Sequence, residues 1–201
     1  MISEVGICNI ALARLGDNAT VASIDPPEGS AQAEHCERFY PVARNSLLEM
    51  HPWKFATRRV LLARLNVPSW GWTFAYAKPH DALNLLAVLP PSAASDTDTQ
   101  PFESESDSSG SAIILTNQPD ASLRYVAHVV DTTRFSPLFV DALAWLLASY
   151  LAGPLIKGDA GANMAKACYQ SFLYVFGQAK VSDANQRNIH PEHTPSWIAG
   201  R

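Results

Sequence analysis

The sequence predicts an α+β fold: a helical bundle built from the N- and C-terminal thirds, with a small antiparallel β lobe inserted between them. Three observations predict it. Apolar residues recur at steps of three and four in both outer thirds and in steps of two in the middle third. The elements are segregated as helices, then strands, then helices, rather than alternating as βαβ units. The 201-residue chain is 47% apolar, enough for one sizeable core with a smaller lobe. The expected organisation is a bundle from 1–66 and 132–182, a β lobe from 67–131 and an extended C-terminal tail from 183–201.

The first helix is expected from about Ser3 to Leu15. Ser3 is an N-cap residue type and Gly16 suits the position after the C-cap. Val5, Cys8, Leu12 and Leu15 form its apolar stripe. A loop follows over 17–29, marked by Pro26-Pro27. The second helix begins after Ser30, with Ala33, Cys36, Tyr40, Ala43, Leu47 and Met50 on one face. Pro41 lies on the opposite side and predicts a kink or break there. Pro52 ends this unit, and Trp53, Phe55 and Ala56 open a short piece after it.

From Trp70 the period changes to two. Trp72, Phe74 and Tyr76 alternate with smaller residues, Leu83 to Leu89 is a second strand candidate, and Leu123, Tyr125, Ala127 and Val129 alternate again. Between them, 90–111 is rich in Ser, Asp and Glu and lacks Lys and Arg, the composition of a flexible loop. Inside it, Phe102 to Glu105 is a candidate edge strand, Asp107 to Gly110 its turn and Ala112 to Thr116 the returning strand. Ser136 and Pro137 then start a helix expected to stop at Gly153-Pro154. A last helix begins near Asp159, with the stripe Ala165, Cys168, Phe172, Val175 and Ala179. After about Asp183 the chain turns polar and aperiodic.

Composition narrows the function classes. Charged residues make up 17% and the net charge is −4, so the chain carries no basic footprint of the kind that grips phosphates. DNA passing close to such a surface would slide rather than stick. Three cysteines, Cys8, Cys36 and Cys168, without a CxxC pair, argue against a disulfide framework or a structural zinc site and fit assembly in a reducing cytosol. Glu4 and the lack of early Lys or Arg do not fit a signal peptide. The 135–156 segment is long and apolar enough to raise the membrane question, but Pro137, Gly153 and Pro154 trim it and no basic cluster orients it. A core helix is expected.

No catalytic, cofactor-binding or metal-binding set is expected. His190 and His193 lie in the tail without further ligands. His35 and Cys36 are helix neighbours about 100° apart, and Cys36 lies on the apolar stripe, so it is expected to be a buried structural thiol. Glu103, Glu105 and Asp107 would share one strand face, which makes a carbohydrate-active hydrolase the alternative to a structural role. Their Ser-rich setting gives no reason for a raised pKa. Trp53, Trp70, Trp72, Phe74 and Tyr76 form a dense aromatic set, accompanied by Lys54, Arg58, Arg59, Arg64 and Lys78, of which the first four fit a solvated helical face. Core packing, rather than base stacking, is the expected role. Trp197 and Ile198 stand apart as bulky apolar residues in a polar tail that cannot bury them, the pattern of a docking strap. With Arg201 they are the candidate partner-binding residues.

Three stretches together are similar to a known family. One is Ala11 to Gly16, followed by Ser23-Ile24-Asp25 and the helix bearing Ala33, Cys36, Tyr40 and Arg44. Another is Pro52 to Ala56, then Trp72 to Tyr76 with Pro79 and Asp81. The third is Leu115-Thr116-Asn117, Tyr125, Asp131 and Phe135 to Phe139, leading into Ala142 to Trp145 and Leu151 to Leu155. In this order they resemble the tail tubular protein A family, the head-to-tail adaptors of short-tailed bacteriophages. The 90–111 region departs from it by looking longer and more Ser/Asp-rich, and Pro41 is also unusual.

The resemblance implies a virion protein and not an enzyme. It would form a homo-oligomeric ring, usually dodecameric, between the portal protein and a tail nozzle of the tail tubular protein B type. Tail fibres are a further partner class. The helices and C-terminal tail would hold the portal, the β lobe would face the next ring, and DNA would pass through the lumen without specific binding. Assembly would take place in the host cytoplasm, with no membrane and no cofactor. A monomeric interaction module unrelated to virions is a third reading.

Overall fold

Three of the four α-helices start where a serine hydroxyl satisfies an otherwise unpaired N–H. In the computed structural model, which describes residues 2–69, 71–93 and 97–186, Ser3 caps α1 (Glu4–Arg14) by accepting from the Gly6 N–H at 3.1 Å. Ser30 caps α2 (Ala31–Glu49) through Ala33 N–H at 3.2 Å. Ser136 caps α3 (Pro137–Ile156) through Phe139 N–H at 3.2 Å, with Pro137 in the first turn. Only α4 (Gly158–Ala184) starts without a side-chain cap. α3 packs against α1, α2 and α4, most extensively against α4. By length and composition α3 could cross a membrane. In the fold its apolar surface is the centre of the helical core, with Phe139, Leu143, Leu147 and Leu151 fully buried.

The strands form two antiparallel sheets. One has the order β1-β7-β4, from β1 (Thr57–Leu61), β7 (Ser122–Ala127) and β4 (Ala82–Leu89). The other has the order β2-β3-β6-β5, from β2 (Arg64–Leu65), β3 (Phe74–Ala77), β6 (Ala112–Thr116) and β5 (Phe102–Ser106). Side-chain alternation along β7 stacks three layers. Val126 joins the helical core, whereas Leu123, Tyr125 and Ala127 face Tyr76 and Ile114 of the second sheet. The result is a mixed α+β fold: four helices and two small antiparallel sheets among the described residues.

Several local expectations change. α2 continues through Pro41 without interruption; the buried residues on either side, Tyr40, Ala43 and Arg44, hold it in the core, so tertiary packing offsets the lost backbone bond. α3 does not stop at Gly153-Pro154 but runs to Ile156. Gly153 has no Cβ to clash with the Pro154 ring, which relieves the usual restriction before proline. The reversal comes instead at Lys157, whose φ of 62° and ψ of 165° lie in a region normally reserved for glycine. Arg58, Arg59 and Arg64 are not on a helix: they lie on β1 and β2, which precede residue 67. Met50, assigned to the apolar face of α2, is the C-cap residue and is exposed.

Candidate functional site

α4 has two apolar faces, and only one is used internally. Cys168, Phe172, Val175 and Ala179 recur at helical spacing and are buried. The outer side carries Tyr169, Leu173 and Val181, each separated by four or eight residues and so aligned along one row. Tyr174 lies beside that row and is 70% exposed, and Leu173 is 50% exposed. Tyr174, Gly177, Gln178 and Val181 line a shallow recess near the helix end. An exposed row of large apolar side chains on a long helix is the kind of surface that partners cover.

Beyond its buried stripe, one contact fixes each end of this helix. At its start, Gly161 meets the backbone of α3: a Cβ there would lie 3.0 Å from the Ala152 carbonyl oxygen. At its end, the buried Asp183 carboxylate accepts the Lys54 N–H at 3.0 Å and contacts His51 Nε2 at 3.1 Å. This clamp fixes the C-terminal end of α4 against the 51–54 segment. The sequence pattern places Asp183 at the start of the polar tail. The signal that it is buried in α4 is its position four residues after Ala179, which continues the inner stripe.

The tail residues Trp197, Ile198 and Arg201 lie outside the described residues, as do Trp70, His190 and His193. The other sequence candidates are dispersed. Trp53 and Tyr76 are buried core residues; the Trp53 indole N–H donates to the Leu47 carbonyl at 2.8 Å. Trp72 donates to Glu103 at 3.3 Å, and Arg64 lies over the Phe74 ring at 4.6 Å. Cys8, Cys36 and Cys168 are buried free thiols. A side-chain hydrogen bond with Cys36, then burial, pushes the Cys8 thiol up, and burial does the same for Cys168, so neither is a poised nucleophile.

Glu103 and Glu105 are exposed on β5, the edge strand. Asp107 closes the following turn, accepting from Ser109 N–H at 2.8 Å and Ser111 N–H at 2.9 Å. Hydrogen bonds from Ser109 and the turn amides hold its carboxyl below the ordinary value. A general acid for glycoside cleavage needs the opposite shift. No group of three or more His, Cys, Asp or Glu suited to a metal ion occurs among the described residues.

One apolar cleft has no counterpart in the sequence reading. It has a volume of about 490 Å³ between α1 and the start of α3, walled by Ile2, Ile10, Phe135 and Val140, with the Arg14–Asp141 ion pair at its edge. Arg14 also lies over the Trp145 ring at 4.2 Å. Compared with known proteins, the sequence matches no protein-family model and no curated protein.

Proposed function

We propose that this chain is a structural head-to-tail adaptor of a bacteriophage virion, a ring-forming protein between the portal and the tail nozzle. In this reading the helices form one bundle that holds the portal together with residues 187–201, and the sheets form a lobe facing the nozzle or fibres. DNA passes through the lumen. The protein acts by binding and carries no catalytic machinery.

The observation that carries the proposal is the outer row of α4, which leads directly into a tail bearing Trp197 and Ile198. Exposed apolar side chains along a helix, with Trp197 and Ile198 further along the sequence, are the residue types by which extended segments and helices dock on a partner. The three stretches that resemble the adaptor family also support it. They converge in space: Trp53 packs edge-on against Phe139 at 5.0 Å, Phe55 contacts Phe135 at 5.6 Å, and Arg14 pairs with Asp141. Residues remote in sequence thus share one core. A ring requires heterologous contacts that close by rotation, and a portal would raise the local concentration of copies.

The test is electron microscopy and co-sedimentation of the protein with the portal of the phage that encodes it. The full chain is expected to decorate the portal as a ring. A chain ending at residue 186 should keep its far-ultraviolet dichroism and lose the decoration. If the truncated chain decorates equally well, or the full chain stays unbound, the proposal fails.

A further inference from the structure

Tyr40 is 1% exposed, and its hydroxyl meets no partner at hydrogen-bond distance among the described residues. A buried hydroxyl left unsatisfied loses its hydration without compensation, so such a group calls for a reason. It lies beside Glu4 and Arg44, and all three help line an open cavity of about 490 Å³ between α1, α2 and the loop before α2. That cavity is distinct from the α4 face and from the cleft beside α1 and α3.

The free polar groups of this cavity are acceptors. The Asp25 and Glu37 carboxylates line it, and neither has an ion pair among the described residues. Glu4 offers one oxygen to Arg44 at 3.3 Å. Pro41 has no N–H, so it withholds the usual helical donor from the Glu37 carbonyl. Among the described residues Arg44 is the one cation lining the cavity, and its donors go to Glu4, Asn45 and His128. Three carboxylates against one guanidinium leave an excess of negative charge. The walls between these groups are apolar: Ile24, Pro41 and Val130.

We propose that this cavity receives an arginine side chain presented by another polypeptide. A guanidinium has five donors and no acceptor, which matches a site made of acceptors. Its methylene stem would lie along Ile24 and Pro41. Val130, more than half exposed, lines the cavity and suits an apolar neighbour of a peptide-borne arginine better than a free amine. The Tyr40 hydroxyl would gain the partner it lacks.

The probe is a short capped peptide with one arginine between two valines, titrated into the ¹⁵N-labelled full chain. Saturable amide shifts are expected at Asp25, Glu37, Val42, Arg44 and Val130. The double variant Asp25→Asn, Glu37→Gln changes only exposed groups and should fold normally; its affinity is expected to fall at least about tenfold. Tyr40→Phe should weaken binding while leaving the spectrum dispersed. A lysine version of the peptide should bind more weakly. Shifts that never saturate, or that are the same in the double variant, would overturn the proposal. So would equal binding of free arginine, which would assign the site to a small amine instead.

Discussion

At the residue scale, small chemical differences decide close contacts. Gly161 lies against a carbonyl oxygen of α3, and a backbone atom cannot swing aside as a side chain can. Gly161→Ala gains helix propensity but crowds that contact, and overpacking costs about 1–3 kcal/mol. The expected net result is a Tm lowered by about 2–4 °C per kcal/mol lost, measured by scanning calorimetry. Gly177 on the same helix has open space around it, so Gly177→Ala should instead stabilise by about 0.5–1 kcal/mol. His128 makes a second residue-scale prediction. Arginine only donates, so the 3.0 Å contact between Arg44 Nη2 and His128 Nε2 requires an unprotonated ring nitrogen. Burial, then the Arg44 charge, hold the His128 pKa below its ordinary value of 6.5. As pH falls, the unfolded ring therefore takes up its proton first. The contribution to stability is complete above the unfolded pKa and is lost as pH drops through it towards the folded one. Tm should fall as the pH drops below the ordinary histidine value of 6.5, and His128→Gln should flatten that dependence. Neither prediction could be made from sequence alone: the partners Ala152 and Arg44 come close only through helix packing and the approach of the 128–130 segment to α2.

At the element scale, the proposed adaptor role divides α4 into an inner face that folds and an outer face that would bind. Its inner stripe was legible because Cys168, Phe172, Val175 and Ala179 repeat at helical spacing. The outer row was not, because the same sequence does not say which of two apolar faces meets the body. Leu173→Ser with Tyr174→Ser removes exposed area, so stability should change by only about 0.5 kcal/mol per site. Portal co-sedimentation should drop at least about tenfold. Unchanged binding would separate the helix face from the docking element. The strands show the same divide. The middle-third strands were legible where period two survived, as in β3 and β7. β4 lacks clean alternation because two bulges, between Ala82 and Asn84 and between Leu85 and Ala87, each insert an extra residue. Leu83 and Leu86 therefore face the helices, while Leu85 and Val88 face the second sheet. β1 was missed because its partner, β7, lies more than 60 residues away and its burial is slight.

At the scale of the whole molecule, three stacked layers grade the stability. α3 touches every other helix, and β7 is the central strand of the inner sheet. Amides in α3 and β7 should therefore be the slowest to exchange with solvent, and those of β5, an exposed edge strand, among the fastest. Hydrogen exchange followed by mass spectrometry checks this, and faster exchange in α3 than in β5 would contradict the layering. The same arrangement separates the α4 row from the acceptor-lined cavity over Tyr40, so the two proposed partners would bind independently.

The α+β class, the four helix starts and five of the strand positions follow from the sequence itself, because capping residues and hydrophobic period act within a few residues of where they stand. The division of the strands into two sheets, the burial of Asp183, the use of one α4 face and the gathering of Asp25, Glu37 and Tyr40 around one cavity belong to the tertiary structure. Each depends on contacts between residues distant in the chain, and no local pattern encodes which distant surface a given side chain will meet.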